Sequence, residues 1–247
     1  MFPQKESLIA KIYTTILICL VFTLVFVGYL HPITAMSQAL GRHFLLGNII
    51  LETRGVPLTN LFSYTYPDFP FINLHWLSEV IFYLLFKATG LTGLLLFTTS
   101  LVVLAFMFIF LYSLRKGQIL VVTISALLYL PILFERTDLR PEIFSFLFLA
   151  IYIIILFKYR AKFTKWIFIL IPLSLLWVNM HIYFIVGVGV LGLFLIDNIL
   201  QHRTRLVHCL KLKRGLPPQT AVLLLVFLAG ALVTIGNPNF ILGAIYP

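Results

Sequence analysis

Ionisable side chains are scarce in this chain, and several of them fall into short groups. The first group is "NLHWLSE", in which His75 and Glu79 are four residues apart, with Ser78 beside them. In a helix this spacing puts the imidazole and the carboxylate on one face. Such a pair could line a site between this helix and the membrane bundle. The same spacing also fits a surface-lying helix whose polar side faces water, so both interpretations stay open.

The second group is "ERTDLRPE", residues 135–142, with five ionisable side chains within eight residues. Acids and arginines this close can satisfy one another as ion pairs. They could instead bind a phosphate headgroup or a metal beside a bilayer and alter the basicity of a carboxylate. Pro141 stands at the first turn of the next predicted helix and fixes the direction in which the group points.

The third group is Asn179 and His181 in "LLWVNMHIYFIVG", where they interrupt an apolar run. Polar side chains at such depth commonly hydrogen-bond neighbouring helices, which would be a structural role. The predicted topology puts this turn on the same face as the first two groups. We therefore also consider both residues as part of a substrate site.

Composition determines the solvent of the elements that hold these groups. The 247 residues are 61% hydrophobic and 11% charged, with a mean hydropathy of +1.07, which is too apolar for a soluble core. The net charge of +10 does not indicate nucleic acid, because lysine and arginine collect in the cytoplasmic loops of membrane proteins. Cys19 and Cys209 show no paired spacing and no metal cluster.

Apolar runs predict an all-α polytopic transmembrane bundle with seven spans. A span needs roughly 20 residues, and shorter ones occur inside bundles. The first run is longer than the core of a signal peptide, so we interpret it as an uncleaved anchor. The predicted spans are Ile12 to Leu30, Leu91 to Leu114, Ile119 to Phe134, Ile143 to Phe157, Trp166 to Val178, Ile182 to Ile199 and Thr220 to Ile235.

An eighth apolar segment, Leu74 to Thr89, would be about 24 Å long as a helix and is too short to cross alone. If it does not cross, about 13 lysines and arginines share one side with the amino terminus and only about five lie opposite. We therefore predict a surface-lying helix here. The amino terminus is then cytoplasmic, in what we expect to be a bacterial inner membrane, and the three polar groups face outward.

The first outer loop, residues 31–73, is long enough to suggest a function of its own. Within it "MSQALGRHFLLGNIILE" places Leu40, Phe44, Leu45 and Ile49 near one helical face. This pattern predicts a second surface-lying helix that ends near residues 53–55. The aromatic stretch that follows is typical of a membrane interface, and a role in stacking against an acceptor is the alternative.

One span, two surface helices and six further spans resemble the membrane module of GT-C-type glycosyltransferases, including bacterial members. The resemblance covers nearly the whole chain. It implies transfer of a sugar from a polyprenyl-phosphate donor to an acceptor on the extracytoplasmic face, with membrane lipids as further partners. It rests on the strings "LGRHFLLGNIIL", "VPLTNLFSYTYPDFPFINLHWLSEVIFYLL", "RTDLRPEIFSFL" and "LLWVNMHIYFIVG".

In that family an acid of the first outer loop, close to the first span, commonly serves as the catalytic base or as a metal-linked carboxylate, and acids of the next outer loop often assist. Here no Asp or Glu occurs between Leu30 and Ile50. The catalytic candidates are therefore Asp138, Glu79 and His43. The resemblance allows a divalent metal, but the sequence assigns no ligands to it. The candidate substrate-binding residues are Arg42, His75, Glu135, Arg136, Arg140, Asn179 and His181.

Two other functions stay open. One is a polytopic transporter or flippase for a lipid or glycolipid, although no internal repeat and no matching pair of broken helices indicates it. The other is a non-catalytic scaffold that binds lipid, which the missing acid favours. No phosphate-loop motif is present, so a cytosolic nucleotide-sugar donor is not expected. Residues 1–247 are predicted to form a single transmembrane domain, and the apolar ending predicts a longer chain.

Overall fold

The computed structural model describes residues 8–30, 38–115, 117–135, 138–201 and 216–246. Across these ranges the protein is helical, with one isolated β-bridge between Thr59 and Pro70. Short 3₁₀ turns span Lys165–Ile169 and Val233–Ile235. The helices are α1 (Leu8–Tyr29), α2 (Gln38–Thr53), α3 (Trp76–Leu114), α4 (Ile119–Phe134), α5 (Glu142–Ala161), α6 (Leu170–Met180), α7 (Phe184–Gln201), α8 (Pro218–Leu232) and α9 (Phe240–Ile245).

Five helical segments are long and apolar enough to cross a membrane, namely Lys11–Tyr29, Trp76–Leu114, Glu142–Ala161, Phe184–Gln201 and Pro218–Ile235. Two further apolar segments, Ile119–Phe134 and Lys165–Met180, are shorter. Many large apolar side chains on the outside of these helices are exposed, among them Leu128, Ile132 and Leu193, which suits contact with lipid rather than water. The all-helical class is confirmed, and the chain is consistent with an integral membrane protein. The count of seven spans stays a prediction.

Helix α3 bends at Gly90, whose φ of 69° and ψ of −169° lie outside the helical region. Glycine adopts a positive φ without the steric cost that a side chain brings. The rings of Phe82 and Phe97 lie 6.0 and 6.2 Å from the ring of Phe144, whereas a straight helix would separate these two residues by about 22 Å. The chain therefore folds back at Gly90 into two limbs, 76–89 and 91–114. That the first limb lies along a membrane surface stays a prediction.

Helix α2 packs closely on the first limb of α3. Gly47 permits this approach, because a β-carbon at residue 47 would overlap the carbonyl oxygen of Glu79 and the side chain of Tyr83. The rings of Phe44 and Phe86 stack with centroids 4.4 Å apart. The predicted surface-lying helix is thus present as a helix, and it supplies one wall of a buried interface.

The face of α2 that packs on α3 combines apolar and polar residues. Leu40 and Phe44 are buried, Leu45 is 47% exposed and Ile49 is half-buried. His43 and Gly47 also lie on the buried side. The packing of α2 therefore depends on a small residue and a paired histidine as well as on apolar side chains, and the membrane-facing role of the apolar face stays a prediction.

The bundle has two chemically different ends. At one end Ser145 hydrogen-bonds His181, and Asn179 donates to the carbonyl of Gly236. At the other end Arg160 pairs with Asp197 at 3.1 Å. We call the first the acidic end, because it carries Glu79, Glu135, Asp138 and Glu142. We call the second the basic end, because it carries Arg115, Lys158, Arg160, Lys162 and Lys165. The segregation of charge expected from the loops therefore holds for these residues, and the side of the membrane that each end faces stays a prediction.

The close approach at Gly47 is testable with a matched control on the same helix. We expect Gly47→Ala to destabilise the fold by roughly 1–3 kcal/mol, because the backbone of Glu79 cannot move away without displacing α3. At Gly41 a β-carbon would meet nothing within 4 Å, so Gly41→Ala should be neutral or stabilising by up to about 1 kcal/mol. Thermal unfolding in detergent compares the two variants. Equal midpoints would contradict the packing described for Gly47.

Candidate functional site

A buried carboxylate organises the acidic end. Glu79 lies in the first turn of α3, where the helix N-terminus favours a negative charge, and it is only 1% exposed. Its Oε1 is 2.9 Å from Nδ1 of His43 on α2, and its Oε2 accepts a hydrogen bond from Nδ2 of Asn73 at 2.6 Å. With both oxygens paired, the free-energy cost of burying the carboxylate is offset. We call this pair the His43–Glu79 dyad.

The partner of Glu79 differs from the one that the sequence suggested. His75 is the residue before α3 and has non-helical backbone angles, and its ring lies 6.0 Å from that of His43. Among the described residues, no hydrogen bond joins the side chains of His75 and Glu79, and the shared face of these two side chains stays a prediction. The alternative of a polar side in water is wrong for Glu79, which is enclosed between α2 and α3.

The dyad determines which nitrogen of His43 carries hydrogen. A carboxylate oxygen only accepts hydrogen bonds, so Nδ1 of His43 must donate to Glu79. In the neutral ring, Nε2 then keeps its lone pair and is free to accept a proton. A histidine oriented in this way by a carboxylate is suited to general-base catalysis.

His181, in the turn between α6 and α7, has the opposite arrangement. The indole of Trp177 donates to Oγ of Ser145 at 2.8 Å, and Ser145 lies 2.9 Å from Nδ1 of His181. The serine oxygen accepts from the indole through one lone pair, and its own hydrogen can be donated to Nδ1 of His181. The backbone N–H of Tyr183 donates to the same nitrogen at 3.3 Å. Nδ1 is therefore an acceptor, and the hydrogen of the neutral ring lies on Nε2.

His75 stands between the other two histidines, with its ring centroid 6.0 Å from that of His43 and 5.0 Å from that of His181. Burial lowers the pKa of His75 to about 3, with further contributions from His181, His43 and Arg42. Burial, and then His43, lower the pKa of His181 to about 4. We call the three rings the histidine row. The neutral ring of His43 offers an acceptor and His181 offers a donor, with the uncharged ring of His75 between them.

Asn179 has a structural position in this arrangement. Its Oδ1 accepts a hydrogen bond from the indole of Trp76 at 2.7 Å, and its Nδ2 donates to the carbonyls of Leu175 and Gly236. The carboxamide is thus engaged at both ends, which favours the structural interpretation of this residue. Asn179 ties the start of α3 to α6 and to the end of α8.

The second sequence group is only partly drawn into the site. Asp138 and Arg140 form an ion pair at 2.7 Å with side chains 56% and 43% exposed, as expected for acids and arginines that satisfy one another. Glu135 is exposed, and so is Arg42 on α2. Arg136 lies outside the described residues. Within the described ranges, no hydrogen bond or ion pair joins Asp138 to the dyad.

The sequence did not single out Glu142, Asn73, Ser145 or Trp177 as site residues. Glu142 is buried at the first turn of α5, and Ser145 follows it one turn later. Their spacing of three is a weak signal that both lie on one face of α5. Nothing in the sequence distinguishes Ser145 from the other serines of the chain, because its role depends on contacts with residues more than 30 positions away.

The histidine row does not fit a metal centre. Among the described residues, no group of three or more His, Cys, Asp or Glu side chains is arranged to hold a metal ion. For His181 the hydrogen bonds give a chemical reason. A metal-bound histidine normally donates its other ring N–H to a partner, whereas the Nδ1 atom of His181 accepts from Ser145 and Tyr183.

The lowered pKa values of His75 and His181 predict a pH-dependent stability. Between about pH 6.5 and pH 4 the unfolded chain binds more protons than the folded one, so stability falls as the pH falls. The loss should be at most about 1.4 kcal/mol per pH unit for each histidine. We expect a lower unfolding midpoint at pH 5 than at pH 7.5, and a shallower dependence in His75→Gln. A midpoint that does not change over this range would contradict the assignment.

No protein-family model, no curated protein and no solved structure matches this chain. The comparisons therefore neither support nor contradict the resemblance to GT-C-type glycosyltransferases, which stays a prediction. The chemistry that the site can support depends on the His43–Glu79 dyad and the residues around it.

Proposed function

We propose that this protein is a membrane glycosyltransferase that takes a sugar from a polyprenyl-phosphate donor and attaches it to an acceptor hydroxyl. The observation that carries the proposal is the His43–Glu79 dyad, a buried carboxylate and histidine at the acidic end of an apolar helix bundle. Nothing else in the described chain combines a free imidazole lone pair with a carboxylate that orients it. A base of this kind is what an attacking hydroxyl requires.

In the proposed reaction the acceptor oxygen forms a bond to the anomeric carbon of the sugar. The bond between that carbon and the phosphate oxygen breaks, and its electron pair leaves with the polyprenyl phosphate. The hydroxyl proton passes to Nε2 of His43, while Glu79 stabilises the imidazolium that results. The Nε2–H group of His181 is available to donate to an oxygen of either substrate.

The dyad also accounts for the acid that is missing from the first outer loop. His43 lies within the stretch from Leu30 to Ile50 that contains no carboxylate. Glu79 comes from α3 instead and reaches His43 across the contact at Gly47. We propose that this histidine takes the place of the acid, with the charge supplied by a neighbouring helix.

The departing phosphate needs positive charge nearby. Arg42 is exposed on α2, adjacent in sequence to His43, and is close enough to contribute to the lowered pKa of His75. We therefore propose Arg42 as the main phosphate-binding residue. Asp138 and Arg140 already neutralise each other in part. We therefore rank Asp138 second to the dyad as a candidate for the general base.

An apolar groove supports the assignment of a lipid-linked substrate. It has a volume of about 520 Å³ and lies between the second limb of α3, α4 and α5. Its lining extends from Ser113 and Val121 near the basic end to Tyr129 and Leu133 near the acidic end. We propose that part of the polyprenyl chain occupies this groove. The same groove would serve a lipid flippase, which is the second candidate function.

We propose seven spans, a cytoplasmic amino terminus and a location in a bacterial inner membrane. The basic end would then face the cytoplasm, as the distribution of lysine and arginine favours. The dyad and the histidine row would face outward, on the side where a lipid-linked sugar is used. No nucleic acid has a place in this proposal.

The proposal predicts that the dyad controls the chemical step. Purified protein in proteoliposomes is supplied with undecaprenyl-phosphate-linked hexoses and pentoses, and the release of undecaprenyl phosphate is measured. We expect His43→Ala and Glu79→Gln to lower the rate by roughly 10²- to 10⁴-fold, the range for loss of a general base. Glu52→Gln is the matched control. Glu52 is exposed on α2, the helix that carries His43, and among the described residues it hydrogen-bonds only Asn48.

Three results would contradict the proposal in different ways. If the Glu79→Gln variant kept the rate of the unmodified protein, the assignment of the His43–Glu79 dyad as the general base would be wrong. If the unmodified protein moved these lipids between leaflets but released no undecaprenyl phosphate, the result would favour the flippase function. Binding without either reaction would favour a non-catalytic lipid scaffold.

A further inference from the structure

A second buried carboxylate at the acidic end is incompletely paired. Glu142, in the first turn of α5, is 7% exposed, and its Oε1 atom has no hydrogen-bond partner among the described residues. Two residues earlier, Nε of Arg140 is also buried and without a partner. Buried polar atoms are paired in the great majority of folded proteins, and each exception calls for an explanation. An unpaired acceptor and an unpaired donor therefore lie close together in sequence.

Glu142 belongs to the same region as the histidine row. Ser145 follows it by three residues, so both side chains lie on the same side of α5, about one turn apart. Ser145 hydrogen-bonds His181. Glu142 also interacts electrostatically with Tyr29 at the end of α1. The carboxylate thus lies between the end of the first helix and the donor end of the histidine row.

The charges around Glu142 limit what it could bind. Asp138 and Glu142 are both acidic. Between them in the described sequence, Arg140 already forms an ion pair with Asp138 through its NH2 group. A phosphate would meet two carboxylates and be repelled. A ligand that brings hydrogen-bond donors would instead satisfy Oε1 of Glu142.

A hydroxyl group matches both unpaired atoms, because it donates one hydrogen bond and accepts others. We propose that Glu142 and Arg140 bind hydroxyl groups of the donor sugar, with Oε1 of Glu142 accepting and Nε of Arg140 donating. This inference rests on the proposed function and assigns the sugar to a part of the site away from the phosphate at Arg42. Glu142 is here a binding residue and takes no part in proton transfer.

The test measures binding rather than turnover. The full chain in nanodiscs is titrated with undecaprenyl phosphate and, separately, with undecaprenyl phosphate that carries glucose, mannose, galactose or arabinose. We expect Glu142→Gln to weaken binding of at least one sugar-bearing lipid tenfold or more and to leave binding of undecaprenyl phosphate unchanged. Glu142→Asp should lie between the two. Glu52→Gln, at an exposed acid of α2 that hydrogen-bonds Asn48, is the control and should change neither.

The outcomes separate this inference from the proposed function. Equal affinities of Glu142→Gln and the unmodified protein for every sugar-bearing lipid would overturn the role of Glu142 and leave the proposed function standing. An equal loss for the bare and the sugar-bearing lipids would make Glu142 a structural residue. If the unmodified protein bound no sugar-bearing lipid more tightly than undecaprenyl phosphate, the proposed function and this inference would both fail. Unfolding midpoints distinguish a folded Glu142→Gln variant from a misfolded one, and Glu142→Asp provides the test if the former does not fold.

Discussion

The burial of the Glu79 carboxylate is the constraint on which the acidic end depends. A charge removed from water has to be met by donors at close range, and Glu79 obtains them from His43 on one side and Asn73 on the other. His43 reaches it because α2 lies directly on the first limb of α3, whereas Asn73 comes from the loop just before α3. The contact of α2 with α3 requires a residue without a side chain at position 47, and the bend at Gly90 lets the second limb return beside α5. One buried acid thus links the geometry of α2, α3 and the loop between them.

The same packing gives the histidines different hydrogen-bonding roles. His43 is oriented by a carboxylate and keeps a free lone pair, whereas His181 is oriented by Ser145 and Tyr183 and keeps a free N–H. Low solvent access holds His75 and His181 uncharged at neutral pH. Hydrogen-bonding partners, and not the residue type, therefore decide which histidine can take a proton and which can stabilise an oxygen. The arrangement suits a reaction in which a hydroxyl loses a proton near a developing negative charge.

Much of the architecture follows from local properties of the sequence. Apolar runs predicted the helices, and the glycine at position 90 correctly separated a short helical segment from the run that follows it. The segregation of basic and acidic loops also agrees with the two ends of the bundle. These features depend on composition and on residues near one another in the chain, which is why they could be predicted.

The site was predictable only as a set of segments. His43, His75, Glu79 and His181 were all candidates, but the pairing of Glu79 with His43 spans 36 residues, and a helical spacing argument favoured His75 instead. Leu45 looked equivalent to Leu40, yet the buried side of α2 also includes His43 and Gly47. Glu142 belonged to the second ionisable group but was not a candidate site residue, because its burial and its unpaired oxygen arise from tertiary packing.

The central claim is that Glu79 holds His43 with its hydrogen on Nδ1 and its lone pair on Nε2. Nitrogen-15 NMR of the full chain labelled at histidine, with His43 assigned by the signal lost in His43→Gln, measures this directly. At pH 7.5 we expect Nδ1 of His43 to be protonated and Nε2 to be unprotonated, with the pattern lost in Glu79→Ala, which removes the acceptor. A His43 ring protonated on Nε2 alone, or one that does not change in Glu79→Ala, would contradict the account.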